Sequence, residues 1–126
     1  MNQGFPKANR ILKRREFRQV YEKGRKFRAN FFNAFVIENG GGEPRLGITT
    51  TRKMGNAVNR NRARRLLREV FRKNKRSVPG GIDIVLNAKD SIIEVAYRDI
   101  ESDFISFLKR AGHRSEVYSD ISNSDL

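Results

Sequence analysis

Between Asn56 and Arg76 the chain sets nine Lys and Arg against a single acid, Glu69, and threads that run with Ala63, Leu66, Leu67, Val70 and Phe71. Apolar residues at this spacing gather into one stripe only at the helical period, which predicts an amphipathic helix. At 100° per residue Asn61, Arg65, Arg68 and Arg72 fall within about 60° of one another, opposite Leu66 and Val70. One side must be buried, and the other must face outward as a ridge of guanidinium groups. A solvated helix normally interleaves Glu with its cations at i,i+4; this one does not, so its self-repulsion calls for an anion. Arg suits such a ridge. Its planar fork grips phosphate oxygens two at a time and stacks on bases, which the point charge of Lys does less well.

The remainder of the chain must supply the core for this helix, and with 126 residues there is room for only one. Separate cofactor and substrate domains are therefore excluded. The apolar fraction of 37% is modest, but nine Phe and regular aliphatic spacing supply a small core, so this is not a disordered polybasic tail. The net charge of +13 directs attention to polyanions, nucleic acid first. The charge is also uneven: residues 1–80 hold 22 Lys and Arg against five acids, whereas residues 81–126 hold five against nine. Without Cys there is no disulfide scaffold, thiolate metal site or cysteine nucleophile. No apolar run approaches the roughly 18 residues of a membrane span, and the polar, basic start lacks a signal-peptide core. The chain reads as a cytoplasmic protein, mature from its first residue, with no membrane partner.

Residues 1–12 predict a loosely ordered arm. Phe17, Val20 and Tyr21, with Gly24 as a stop, predict a short helix over Lys13 to Gly24. A short strand is expected near residues 25–28, then strands over Phe31 to Ile37 and Arg45 to Thr51, joined through Gly40, Gly41, Gly42 and Pro44. That glycine run precedes a strand and lacks a following Gly-Lys-Ser/Thr, so it reads as a connector and not as a phosphate loop. Pro79, Gly80 and Gly81 end the arginine helix. Ile82 to Ala88 predicts a strand able to pair in parallel with an earlier one. Tyr97, Ile100, Phe104, Phe107, Leu108 and Ala111 mark a last helix ending before Gly112, and residues 113–126 read as a flexible acidic tail. The order predicts one α+β domain over residues 1–112: a two-layer sandwich of about four mainly antiparallel strands, with helices on one face and the other face free for a ligand.

The run Lys53-x-Gly55-Asn56-Ala57-Val58-x-Arg60-Asn61-Arg62-x-Arg64-Arg65-x-x-Arg68 resembles the RNR signature of the protein subunit of bacterial ribonuclease P, the ribonucleoprotein that removes the 5′ leader from precursor tRNA. Phe17-x-x-Val20-Tyr21-x-x-Gly24, Leu46-Gly47-Ile48 and Asp83-Ile84-Val85 resemble that family's first helix and two of its strands. The resemblance implies that Arg60, Asn61, Arg62, Arg65 and Arg68 contact the catalytic RNA subunit, helped by Lys53 and Asn56, with Arg64 and Arg72 on the same basic surface. It also implies a left-handed βαβ crossover, which general rules would not suggest. Phe17, Tyr21 and Phe35 resemble the aromatics of the family's cleft for the single-stranded leader. Their spacing alone reads more readily as core than as a ligand platform; with the resemblance, an aromatic platform beside basic groups would stack bases with little sequence preference. The implied assembly is one RNA with one protein, acting on precursor tRNA, with Mg²⁺ held by the RNA and substrate.

The chain's own catalytic inventory is thin. His113 is the only histidine and falls in the expected tail. Asp99 and Asp103 are four residues apart and could in principle share a metal, but beside Glu101 they read as the solvated side of the last helix. No catalytic residue and no protein metal site are expected. Two alternatives remain at this point: a ribosomal or architectural RNA-binding protein without enzymatic role, and a metallonuclease built on Asp99 and Asp103.

Overall fold

Period-two alternation in four short strands sorts their side chains onto the two sides of one sheet, and the helices follow the apolar ones. The structure, a computed structural model, describes residues 10, 11 and 13–120, with side chains as far as Gly112. The elements are α1 (Arg14–Lys23), β1 (Arg25–Arg28), β2 (Phe32–Glu38), β3 (Arg45–Thr49), α2 (Ala57–Lys73), β4 (Ile82–Ala88) and α3 (Tyr97–Asp120). Short 3-10 turns at Arg52–Met54, Lys75–Ser77 and Asp90–Glu94 link them.

The strands lie in the order β1, β2, β4, β3. β1 and β2 pair antiparallel, as do β2 and β4, whereas β3 and β4 are parallel and α2 connects them. The sheet is thus mixed, because a strand that returns through a helix arrives in the same direction as the one before it.

Phe32, Ala34 and Val36 of β2, Leu46 and Ile48 of β3, and Ile84, Leu86 and Ala88 of β4 share one face with Ala63, Leu67, Val70 and Phe71 of α2 and Ile100, Phe104 and Phe107 of α3. Four Phe rings knit this core together: Phe27 and Phe32 each meet Phe107 edge-on, with centroids 5.4 and 6.1 Å apart, and Phe104 lies 5.8 Å from Phe107. Such pairs add about 0.5–1.5 kcal/mol each beyond the area they bury.

Three features differ from the sequence expectation. α1 does not join the other helices; it lies on the opposite face, where Val20, Val85 and Ile11 form a small buried cluster with Phe17, Phe35 and Ile37 packed against it. An apolar helical stripe demands burial without naming the face that provides it. The end of the expected arm is ordered: Arg10 bridges Leu46 in parallel, the Ile11 amide donates to the Leu46 carbonyl at 2.9 Å, and the Ile11 side chain is buried. Lastly, the α3 backbone runs through Gly112 to Asp120. One interior glycine costs a helix only about 1 kcal/mol, too little to stop it. Residues 1–9, Leu12 and 121–126, parts of the expected arm and tail, lie outside the described residues.

Candidate nucleic-acid interface

α2 starts where the sequence can best start it. Gly55 turns the chain with φ +91°, a conformation that costs other residues, and Asn56 then caps the helix by accepting the Asn59 amide at 2.9 Å. Arg60 donates back to the Gly55 carbonyl at 2.7 Å and Asn59 to the Met54 carbonyl at 3.0 Å. The RNR stretch therefore builds its own helix start: Asn56 and Arg60 fix the turn, while Lys53 stands exposed on the 3-10 turn before it.

Beyond that start, Asn61, Arg62, Arg65, Arg68 and Arg72 are all exposed. Arg72 is held by Glu69 at 2.7 Å, and that ion pair lowers the Glu69 pKa and raises that of Arg72. Among the described residues, Arg60, Arg62, Arg64, Arg65 and Arg68 form no ion pair with an acid. Arg64 instead donates to Asn61 at 3.1 Å and to the Thr50 hydroxyl at 3.4 Å. Partial burial, followed by the positive charges of Arg10 and Arg64, pushes the Arg68 guanidinium below its ordinary range. The positive charges of Arg10 and Arg64 thus act on Arg68 from the arm and from its own helix.

α1 covers part of the opposite face of the sheet, and the strand residues beside it form the candidate cleft. Because strand neighbours share a face, the registers place Lys26, Phe35, Val85 and Gly47 in one transverse row and Arg28, Asn33, Asn87 and Thr49 in the next. α1 lies over the first. The Phe17 ring rests on Gly47, where a Cβ would come within 2.6 Å of it; any larger residue at this strand position would push the helix away. Tyr21 meets Phe35 edge-on at 4.7 Å, with the Lys26 ammonium 5.6 Å from the Phe35 ring. The Tyr21 hydroxyl is hydrogen-bonded to that of Thr49 at 2.8 Å, and Asn87 donates to the same Thr49 oxygen at 2.8 Å.

The three aromatics are therefore together but differ in role. Phe17 is half-buried and wedged between helix and strand, Phe35 is half-buried beside Lys26, and Tyr21 is 37% exposed at the cleft mouth. Sequence reading missed the polar row entirely. Its only signal was the placing of Asn33 and Asn87 at alternate positions within otherwise apolar strands, which becomes meaningful once the register aligns them.

A third row lines one end of this face. Asp83 is buried and accepts from Arg45 Nε at 2.9 Å, Arg45 Nη2 at 2.7 Å and Asn39 at 2.8 Å, while Glu16 of α1 meets Arg45 at 3.3 Å. Hydrogen bonding to Asp83 raises the Arg45 pKa further above its already high ordinary value.

The suggested pairing of Asp99 with Asp103 is not present. Asp99 is exposed, whereas Asp103 is buried and accepts the backbone amides of Asn30 and Phe31 at 3.0 and 2.9 Å. Nor do three or more His, Cys, Asp or Glu converge as metal ligands among the described residues.

An arginine-rich helix on one face of the sheet and an aromatic, amide-bearing candidate cleft on the other are features of an α+β RNA-binding protein. The family profile described as Ribonuclease P matches residues 5–112, and the chain belongs to this family of bacterial ribonuclease P protein components. It is 45% identical over 94 residues to the ribonuclease P protein component of Syntrophus aciditrophicus, covering 75% of this chain and 79% of that one. To the corresponding component of Clostridium botulinum it is 37% identical over 107 residues, covering 84% and 96%. The ribonuclease P protein of Thermotoga maritima superimposes with a TM-score of 0.74 at 32% identity, covering 80% of this chain and 96% of that one. A mutant of the Staphylococcus aureus protein gives a TM-score of 0.77 at 32% identity, covering 84% and 90%. The α+β fold is that of these proteins, and membership makes the chain a component of a tRNA-processing ribonuclease complex with ribonuclease P RNA as its partner. Among the described residues no helix is long and apolar enough to cross a membrane.

Proposed function

We propose that the arginine ridge of α2 docks on ribonuclease P RNA while the cleft on the opposite face of the sheet holds the 5′ leader of precursor tRNA. The observation that carries this reading is the set of exposed guanidinium groups at Arg62, Arg65 and Arg68 with no acid paired to them among the described residues. An RNA phosphate backbone satisfies several such groups at once and releases its counterions in doing so. In the cleft, Tyr21 and Phe35 offer π-faces to unpaired bases, Lys26 and Arg28 offer charge to phosphates, and Asn33, Asn87 and Thr49 offer hydrogen bonds. Phe17 supports this platform from below.

The protein contributes grip and positive potential. In this reading the RNA and its substrate hold the Mg²⁺ that assists hydrolysis. Lower phosphate repulsion around the complex favours that binding. The products are a tRNA with a 5′-phosphate and a leader with a 3′-hydroxyl, formed in the cytoplasm by one RNA with one protein.

The test is reconstitution. Adding the chain to the RNA subunit should stimulate leader removal at low Mg²⁺, and Arg65→Ala or Arg68→Ala should weaken assembly. The affinity for the RNA should fall with salt by about 0.7–0.9 log units per released counterion for each tenfold rise. A flat salt response, or cleavage by the protein freed of all RNA, contradicts the reading.

A further inference from the structure

The β1–β2 turn, residues 29–31, is held from two elements that the cleft itself does not contain. Asp103 of α3 is only 7% exposed and accepts two successive turn amides, Asn30 N to Oδ1 at 3.0 Å and Phe31 N to Oδ2 at 2.9 Å. From the segment after β4, Lys89 donates its ammonium to the Ala29 carbonyl at 2.7 Å and its amide to the Phe31 carbonyl at 3.0 Å. The Ala29 amide closes the turn on the Phe32 carbonyl at 3.0 Å. Thus every backbone donor of residues 29–31 is used, and a carboxylate on the far side of the sheet takes two of them.

Arg28 immediately precedes the turn and Asn33 follows it one residue beyond Phe32; the two are paired as the first members of the polar row in the cleft. β1 has four residues and pairs with β2 alone, so its own ladder gives it little rigidity. A short edge strand bearing Lys26 and Arg28 needs an external anchor if those cations are to stay above the cleft floor. Hydrogen bonds from backbone amides to a carboxylate are charge-assisted and stronger than neutral ones, which suits Asp103 to that task.

We infer that Asp103, with Lys89, is a positioning residue for leader binding: it fixes the β1–β2 turn so that Arg28 and Asn33 line the cleft, without touching RNA itself. The inference rests on the leader-cleft reading above. It gives the last helix a task beyond covering the core, and it separates Asp103 from its exposed neighbour Asp99.

Holoenzyme reconstituted with Asp103→Asn, Asp103→Ala or Lys89→Met would be titrated with precursor tRNA and with mature tRNA, beside Tyr21→Ala and Arg28→Ala. Asp103→Ala and Lys89→Met should lower precursor affinity by about 3- to 30-fold. Mature-tRNA affinity and assembly with the RNA subunit should stay as in the parent. Asp103→Asn keeps one acceptor and turns a donor toward a backbone donor, so it should fall between parent and Asp103→Ala. Amide exchange at Asn30 and Phe31 should quicken in the Asp103 variants.

A folded Asp103→Asn or Lys89→Met variant with an unchanged ratio of precursor to mature affinity would overturn the proposal, provided Tyr21→Ala or Arg28→Ala lowers that ratio. Equal losses for both substrates would reduce Asp103 to a purely structural group. If neither Tyr21→Ala nor Arg28→Ala changes the ratio, the cleft reading falls and this inference falls with it. Should Asp103→Ala not fold, Asp103→Asn and Lys89→Met carry the decision.

Discussion

The two faces of the sheet are made from the same strands, yet they are built to opposite ends. Facing α2 and α3, twenty buried apolar residues form one cluster; facing α1, the buried set is Ile11, Val20 and Val85, with Phe17, Phe35 and Ile37 half-covered. The first face concentrates apolar burial and supplies most of the stability. The second spends strand positions on Asn33, Asn87, Thr49 and Arg28, which a tightly sealed core would have to satisfy one by one. Its incomplete cover is what leaves room for the proposed leader strand.

The contrast can be broken by exchanging the roles of the two faces. Phe104→Ala, in the centre of the closed face, should cost about 3–5 kcal/mol of stability in denaturant unfolding, with RNA contacts untouched in whatever protein remains folded. Arg45→Ala, at the Asp83 end of the cleft, should cost about 2–4 kcal/mol, because it strands the buried Asp83 carboxylate with Asn39 as its remaining side-chain partner. A loss below 1 kcal/mol would show that this end is open to water. Tyr21→Ala should reverse the pattern, changing stability little while removing about 1–3 kcal/mol from precursor-tRNA binding. Equal effects on precursor and mature tRNA would erase the functional distinction between the faces.

The smallest expected effect concerns the closed side. Burial, then the charges of Glu101 and Glu69, pushes the Tyr97 hydroxyl up from its ordinary pKa of 10.0 to about 12. A folded-state pKa above the unfolded one contributes stability that is fully present below pH 10.0 and is lost as pH rises through about 12. Tyr97→Phe should therefore flatten this part of the alkaline unfolding profile. At neutral pH it should be close to neutral or slightly stabilising, since the buried Tyr97 hydroxyl has no hydrogen-bond partner among the described residues.

What the sequence disclosed follows the same division. The arginine helix, the four strands and the last helix are local patterns, and their apolar positions name the closed face correctly. The RNR stretch was legible because charge without compensation is visible in one dimension. Which face α1 would choose was not, since Phe17, Val20 and Tyr21 state only that one side of the helix must be covered. Asn33, Asn87 and Thr49 become a row through pairing between strands remote in sequence. Asp103 looked like a twin of Asp99 because its partners, the Asn30 and Phe31 amides, are 73 and 72 residues away. The left-handed crossover was implied by resemblance alone.

The margins of the sheet bear on how the protein survives without its RNA. An open strand edge invites another chain to add itself, and a cation-rich surface offers no protection once salt screens it. Here the outer side of β3 is occupied locally by the Arg10 bridge and the Ile11 amide. The other margin, β1, is four residues long, and three of them are Arg25, Lys26 and Arg28. Neither border gives a second molecule a long, neutral ladder to extend. The outline of the sheet thus keeps its unpaired backbone short at both margins, the places where a second copy would otherwise add a strand.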